Sequence, residues 1–360
     1  MTDGLGQWLT GAKGLMGDAI ALRRRIHEHP ELGLHTPETV KAVKESLKDL
    51  DVSIAEGPQT SGMVVTLKGP TQGRTILLRG DMDALPMPED TDLPFKSKIA
   101  GRMHACGHDS HTAMLAMAVR LLHDRRDQLA GTVKFMFQPG EEGHFGAVRM
   151  IEDGLIDAHH PKPDGAFAIH ITPNLPSGIM ASRPGALMAA TDEVLIRVKG
   201  KGGHASQPFH CIDPIPVAAE LVMALQAFVT RRINAFDPIV LTIAKIAGGT
   251  TYNVIPESVE LLGTLRSVSA ASRAKAKEGI QHVAWKIAEA HGAEAEVSIK
   301  TGYDVTLNDR RMVDLTEQVA NEMLGDRGYI EMPSPVMGGE DWSYVLQRIP
   351  GCMAFLGVSE

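Results

Sequence analysis

Cysteine and aromatic residues are scarce in this 360-residue chain, at three cysteines and 4% aromatics. Three cysteines cannot staple a fold of this length, which excludes a disulfide scaffold and fits a reducing compartment, the cytoplasm. Positive charge is short as well. Lys and Arg total 36 against 44 Asp and Glu, a formal net charge of −8. That balance argues against nonspecific nucleic-acid binding, which needs a basic surface. Long hydrophobic runs are also missing. The most apolar stretch, residues 214–230, is interrupted by Glu220 and Gln226 and is too short and polar to span a bilayer. The first twenty residues mix Asp3, Gln7, Lys13 and Asp18 among short apolar stretches, without the continuous apolar region of an export signal. The expectation is a protein with neither nucleic acid nor membrane as partner. What is present is length enough for two domains, 43% apolar residues, and fifteen histidines against the three cysteines. That imbalance makes a metal site worth seeking.

The first half alternates short buried runs with helical patterns. Thr36-Pro37-Glu38 reads as a helix start, with a capping hydroxyl, proline at the first helical position and then an acid. Residues 64–67, 75–78, 133–137 and 166–169 are β-branched and aliphatic runs, expected as strands. Residues 111–123 are apolar nearly all round, as in a buried helix. Such alternation predicts an α/β fold with a mainly parallel central sheet. After Arg183-Pro184-Gly185 the texture changes. Strand patterns at 193–199, 239–246, 258–265 and 295–299 alternate with amphipathic helices through Ala218–Val229 and 271–290. The order βαββαβ is that of a ferredoxin-like unit. Residues 185–299 are therefore expected to form a second domain inserted into a first made of 1–184 and 300–360.

Three polar clusters follow three of the expected strands: Asp81-Met82-Asp83, Glu141-Glu142 and His170. In open α/β sheets, sites form at the carboxyl ends of strands. Between the first two clusters lie Cys106-Gly107-His108 at the start of a helix. The glycine lets the backbone turn so that both side chains can face one point, and the helix N-terminus favours the thiolate that binds metal. Thiolate, imidazole and carboxylate together suit zinc, with manganese or cobalt as alternatives. Glu141 and Glu142 repel when adjacent, so each needs its own partner. One can ligate a metal while the other serves as general base.

These residues resemble the metal-dependent aminoacylase/carboxypeptidase superfamily, in the branch of hippurate hydrolase and the indole-acetyl-amino-acid hydrolases. The resemblance runs over nearly the whole chain, in order. Its segments are Leu22-Arg23-Arg24 with His27 and 29–33, Arg79 to Pro86, Met103 to His111, Gln138 to Gly143, Gly202-Gly203-His204-Ala205, Asn253 to Pro256, Gly263 to Arg266 and Gly339 to Ser343. It implies a zinc-peptidase-like catalytic domain with an inserted lid that makes a homodimer. It also implies two divalent ions per subunit, zinc or manganese, with cobalt or nickel possible. By position, the resemblance puts the metal ligands at Cys106, His108, Glu142 and His170, with Cys106 bridging, and the general base at Glu141. Asp83 falls where the family orients a ligand histidine, and Asp81 would help there. His204 would stabilise the oxyanion in the partner subunit's site. Asn253 and Arg266 would hold the substrate carboxylate, a task that suits a guanidinium fork.

The implied reaction is hydrolysis of the amide of N-acyl (acetyl, benzoyl or similar) L-amino acids, small molecules. Alternatives are an N-acetyl-diaminopimelate deacetylase, a small-peptide carboxypeptidase or dipeptidase, and a metal-binding dimer without catalysis. Other histidines and cysteines read as structural: His104 and His111 near the centre, His159 and His160 on a loop, Cys211 and Cys352 in loop or core. One departure stands out. The family continues past the region like Gly351 to Gly357 with a histidine that completes the second metal site, then a last helix. No residue after Gly339 is histidine here. The expectation is that a tail is missing from the sequence, or else that the second ion binds weakly.

Overall fold

We describe residues 3–359 of a computed structural model. By internal contacts the chain divides into two compact units: Met1–Leu187, Leu307–Ser334 and Asp341–Glu360 in one, Met188–Thr306 and Pro335–Glu340 in the other.

The first unit is built on an eight-stranded sheet. Its order is Ser53–Glu56, Met63–Lys68, Ala130–Gln138, Thr71–Asp81, Gly165–Pro176, Gly351–Ser359, Met180–Ser182 and Tyr329–Glu331. The four pairings that involve Thr71–Asp81, Gly165–Pro176 and Tyr329–Glu331 are all parallel. The other three are antiparallel, so the sheet is mixed with a parallel centre. The helices Met16–Glu28, Pro37–Leu47 and His108–His123 cover one face. Leu22, Ile26, Val43, Leu47, Ala116 and Val119 pack there against Met63, Val65, Leu67, Phe135 and Phe137. Removing one such Leu, Ile, Val or Phe side chain from water is worth about 1.5–3 kcal/mol, and this burial holds the strands in place.

Two details depart from the sequence pattern. The helix Pro37–Leu47 begins at proline, but Thr36 does not cap it. The Glu31 carboxylate accepts the backbone N–H of Glu38 and Thr39 at 3.1 and 2.9 Å, replacing the hydroxyl with a stronger, charged acceptor. The strand that begins at Gly165 runs on to Pro176, so His170 lies inside it and not after it. Its pairing with Thr71–Asp81 stops at Ala168, while its pairing with Gly351–Ser359 continues past His170.

In the second unit the strands Ala190–Lys199, Ile239–Ala247, Ser258–Ser267 and Glu294–Thr301 alternate with helices Pro214–Arg232 and Ala270–Ala290. This is βαββαβ, with strand order 239–247, 258–267, 190–199, 294–301, all antiparallel. Alternating burial along Ser258–Ser267 sends Val259, Leu261 and Leu265 under the helices, where they meet Leu221, Leu225, Ile280 and Ala284. Arg273 fixes one end of this sheet. Its guanidinium binds both oxygens of buried Asp192 at 2.8 and 2.9 Å and donates to the carbonyls of Thr191 and Gly302.

A candidate dinuclear metal centre

The ends of three neighbouring strands and the first turn of one helix converge in the first unit. Gly107 precedes the helix His108–His123 with φ +88°, in the left-handed region, and a Cβ there would lie 2.5 Å from Ile171 Cδ1. Only glycine satisfies both conditions without strain. The turn it makes sends Cys106 and His108 to the same side, so that Cys106, His108 and His170 each offer a ligand atom within 4.8 Å of the others. Cys106 Sγ and His170 Nε2 are 3.4 Å apart. Two ligands on one tetrahedral zinc, with bonds near 2.0–2.3 Å, stand about 3.5 Å apart.

Both imidazoles are oriented by their other nitrogen. His108 Nδ1 donates to the backbone carbonyl of Asp83 at 2.8 Å, and His170 Nδ1 donates to the carbonyl of Ile171 at 2.7 Å. Each bond fixes a proton on Nδ1 and turns Nε2 inward, the usual support for a metal-binding histidine. His108 Nε2 and Glu142 Oε1 are buried without a hydrogen-bond partner. Such orphaned polar atoms are costly unless something binds them, and a divalent cation suits this donor set. Glu141 and Glu142 complete the approach, each with an oxygen 4.0 Å from His108 Nε2.

Asp83 does more than orient His108. Its carboxylate accepts the backbone N–H of Glu141 and of Glu142 at 2.9 and 3.0 Å, which fixes the turn that presents them. Its Oδ1 is 3.6 Å from His108 Nδ1, so the orientation of that ring comes from the Asp83 carbonyl and not from its carboxylate.

Behind these donor groups lies a fully buried polar network of which the sequence pattern marks only part. His111 Nε2 accepts the backbone N–H of Ile171 at 2.9 Å, so its proton sits on Nδ1 and is donated to Asp81 Oδ1 at 2.6 Å. Arg79 pairs with Asp81 at 2.5 Å and lies 3.5 Å from Asp341, and it donates to Gln138. Gln138 donates to Asp341 at 2.7 Å. Strand ends 71–81 and 130–138, the strand with His170, and the Asp341 turn are thereby joined. Asp81 joins this network through His111 and Arg79. Arg79, Gln138 and Asp341 stand in quoted motifs, yet no local spacing marks a residue whose partner is 203 positions away.

The electrostatics follow. Burial opposes ionisation of Asp81, but the Arg79 guanidinium, then His108 and the hydrogen bond from His111, outweigh it and hold its carboxyl well below the usual range. Burial lowers the His108 pKa, yet Asp81 and Asp83 raise it well above that of a free imidazole. Burial pushes the Cys106 thiol up, while the imidazoles of His108 and His170 pull it lower overall, toward thiolate. Burial raises the Glu142 pKa, with His108 offsetting part of the effect. Burial also lowers His111, in keeping with its neutral tautomer.

The remaining candidate residues lie in the second unit. His204, in the short strand Gly203–His204, pairs with Val254. The carbonyl of Asn253 accepts the N–H of Ala205 at 3.0 Å, so His204 and Asn253 are held side by side. His204 Nδ1 accepts the backbone N–H of Ser206 at 3.2 Å, which leaves Nε2 as the protonated, donating nitrogen. Arg266 sits on the strand Ser258–Ser267, half-buried, and burial lowers its pKa against the pull of Asp192. Elsewhere, Cys352 is buried in a strand, Cys211 is half-buried in a loop, and all three cysteines are unpaired. Among the described residues no helix is long and apolar enough to cross a membrane.

Residues 77–360 match Peptidase family M20/M25/M40. Thermostable carboxypeptidase 1 of Saccharolobus solfataricus is 40% identical over 94% of this chain and 85% of its own. IAA-amino acid hydrolase ILR1-like 4 of Arabidopsis thaliana is 39% identical over 94% and 77%. N-acetyl-L-cysteine deacetylase of Bacillus subtilis is 38% identical over 94% and 80%. Among solved structures, a dinuclear metal-binding M20 peptidase of Bacillus subtilis superposes with a TM-score of 0.80. It is 35% identical and covers 96% of this chain and 89% of its own.

Proposed function

The chain belongs to peptidase family M20/M25/M40, and on that premise we propose that it is a dinuclear-metal amidohydrolase that cleaves N-acyl L-amino acids into a carboxylic acid and a free amino acid. The observation that carries this reading is the pair of adjacent glutamates fixed by one aspartate beside a Cys–His–His donor set. A closed structural zinc site has four ligands and no free base next to them.

Cys106, His108, Glu142 and His170 would hold the ions. Bound there, two divalent ions would supply Lewis acidity at the scissile carbonyl and make water a stronger acid. Glu141 takes the proton of the attacking water and returns it to the leaving amine nitrogen, general base and then general acid. His204, protonated at Nε2, donates to the developing oxyanion, in the partner subunit's site. Asn253 and Arg266 hold the substrate carboxylate, Arg266 as a charge that ordinary pH does not remove. Asp83 keeps both glutamates in register. Zinc or manganese, a homodimer formed by the second unit as lid, and the cytoplasm complete the reading. The donor types and the unpaired cysteines support the first and the last.

The test is a panel of N-acetyl, N-benzoyl and indole-acetyl amino acids, with unblocked dipeptides and N-acetyl-diaminopimelate alongside, assayed with metal analysis. Turnover of the N-acyl amino acids that a chelator abolishes and zinc or manganese restores is expected. Preference for unblocked dipeptides would move the assignment to a carboxypeptidase, the activity named for the Saccharolobus relative. Metal binding without turnover of any of these would leave a binding protein.

A further inference from the structure

Three residues beyond Glu142 the backbone does something a bulky residue avoids. Phe145 has φ +58° and ψ +39°, in the left-handed region. The turn itself demands this conformation. Gly146 must return to donate to the Gly140 carbonyl at 3.0 Å, and it passes so close to Pro139 that a Cβ on it would lie 1.6 Å from the Pro139 oxygen. Whatever stands at 145 is therefore left-handed. Glycine adopts that conformation without strain and phenylalanine does not. Strain of this kind persists where the surroundings impose it, and it gathers at functional sites.

The ring is placed where it can be used. Its centroid is 6.0 Å from that of Tyr344, with the planes inclined at 47°, an ordinary aromatic pair. Both rings are half-exposed. They stand on two turns that meet at the carboxylates. Asp341 accepts the N–H of Ala147 at 2.9 Å, the N–H of Tyr344 donates to the Asp341 carbonyl at 3.0 Å, and Asp341 and Glu141 present oxygens within 4.8 Å of each other. Three residues of chain allow at most about 11 Å from the Cα of Glu142 to that of Phe145.

We infer that Phe145, paired with Tyr344, determines acyl specificity: the two rings form an aromatic wall beside the glutamates that receives a flat, apolar acyl group, so that aroyl and arylacetyl amino acids are preferred to acetyl ones. The inference rests on the amidohydrolase reading above and adds the residues that choose among its substrates. An aromatic acyl ring gains apolar contact and edge-to-face or offset stacking on such a wall. An acetyl group is too small to gain either.

The experiment uses the full chain loaded with zinc or manganese. Wild type, Phe145→Gly, Phe145→Asn, Phe145→Tyr and Tyr344→Leu are compared for kcat/KM on N-benzoyl-alanine and N-acetyl-alanine. Dissociation constants for benzoate and acetate are measured by calorimetric titration. Phe145→Gly is expected to lower the benzoyl-to-acetyl ratio about tenfold, Tyr344→Leu severalfold, and Phe145→Tyr hardly at all. Because the strain is relieved, Phe145→Gly should melt at or above the wild-type temperature with the same metal content. Phe145→Asn, which also tolerates the left-handed region, repeats the test should the glycine variant misfold. An unchanged ratio in both variants would overturn the inference. If no N-acyl amino acid is hydrolysed, the amidohydrolase reading falls, and the acids still decide the wall. Benzoate binding that weakens about tenfold while acetate binding does not upholds it, and equal changes for the two acids refute it.

Discussion

The carboxylate of Asp83 accepts the backbone N–H of Glu141 at 2.9 Å and of Glu142 at 3.0 Å, so a single buried side chain sets the direction of both glutamates. Asp83→Ala leaves two buried N–H groups unpaired, at about 1–3 kcal/mol each. Metal affinity should fall about 10- to 100-fold, the usual effect of losing an outer partner of a metal site. Asp83→Asn keeps one acceptor oxygen and should lie between. Metal titration monitored by calorimetry decides; wild-type affinity in Asp83→Ala would show that the turn holds without its clamp.

The two glutamates should separate by mutation. Glu141→Gln is expected to retain both the fold and the metal and to lose about 10²–10⁴-fold in turnover, the range for removal of a general base. Glu142→Gln should instead lose metal, because its oxygen is the orphaned acceptor facing His108. Elemental analysis beside steady-state rates distinguishes them. Near-normal turnover in Glu141→Gln would sink the assignment.

Gly107→Ala meets two obstacles, a φ of +88° and a contact 2.5 Å from Ile171 Cδ1. The left-handed conformation alone costs about 1–2 kcal/mol. We expect a lower melting temperature and weaker metal binding, since Cys106 and His108 flank the strained residue. Adding Ile171→Ala relieves the contact but not the backbone, so the double variant should recover only part of the loss.

His27 predicts a pH dependence of stability. It bridges two carboxylates, with Nδ1 2.8 Å from Asp109 and Nε2 3.2 Å from Glu89, and Arg23 shares Asp109. The His104 ring lies 6.2 Å away and Phe95 packs edge-on. The hydrogen bond to Asp109 raises the His27 pKa above 6.5, against burial. The folded state then holds the proton more tightly than the unfolded one. The resulting stability is fully present below pH 6.5 and fades as pH rises through the raised value. One proton gives a slope of at most about 1.4 kcal/mol per pH unit. Urea denaturation from pH 6 to 9 should show a decline that His27→Gln flattens. Equal slopes in the two proteins would refute the charged bridge.

Much of this was legible in the residues. The helix start at Pro37, the buried helix after Gly107, the strand cores and the βαββαβ order of the second unit all rest on periodicity and turn chemistry within about fifteen residues of one another. The Cys106-Gly107-His108 and Glu141-Glu142 pairs carried their donor groups in adjacent residues. Two local readings missed because a distant group decided them. Glu31 reached the N-terminus of the helix at Pro37 in place of the Thr36 hydroxyl, and pairing with Gly351–Ser359 carried the strand on past His170.

The sequence by itself determined which donors this protein has and the order in which they occur, because ligand type and local spacing are properties of neighbouring residues. The tertiary structure decided how those donors are aimed. Asp83 reaches across 58 residues to two backbone N–H groups, and Arg79 and Gln138 meet Asp341 more than 200 residues away. No periodicity encodes contacts between strand ends so far apart along the chain. They exist because burying the sheet under its helices brings those ends to one place, where leaving a buried polar group unpaired is costly.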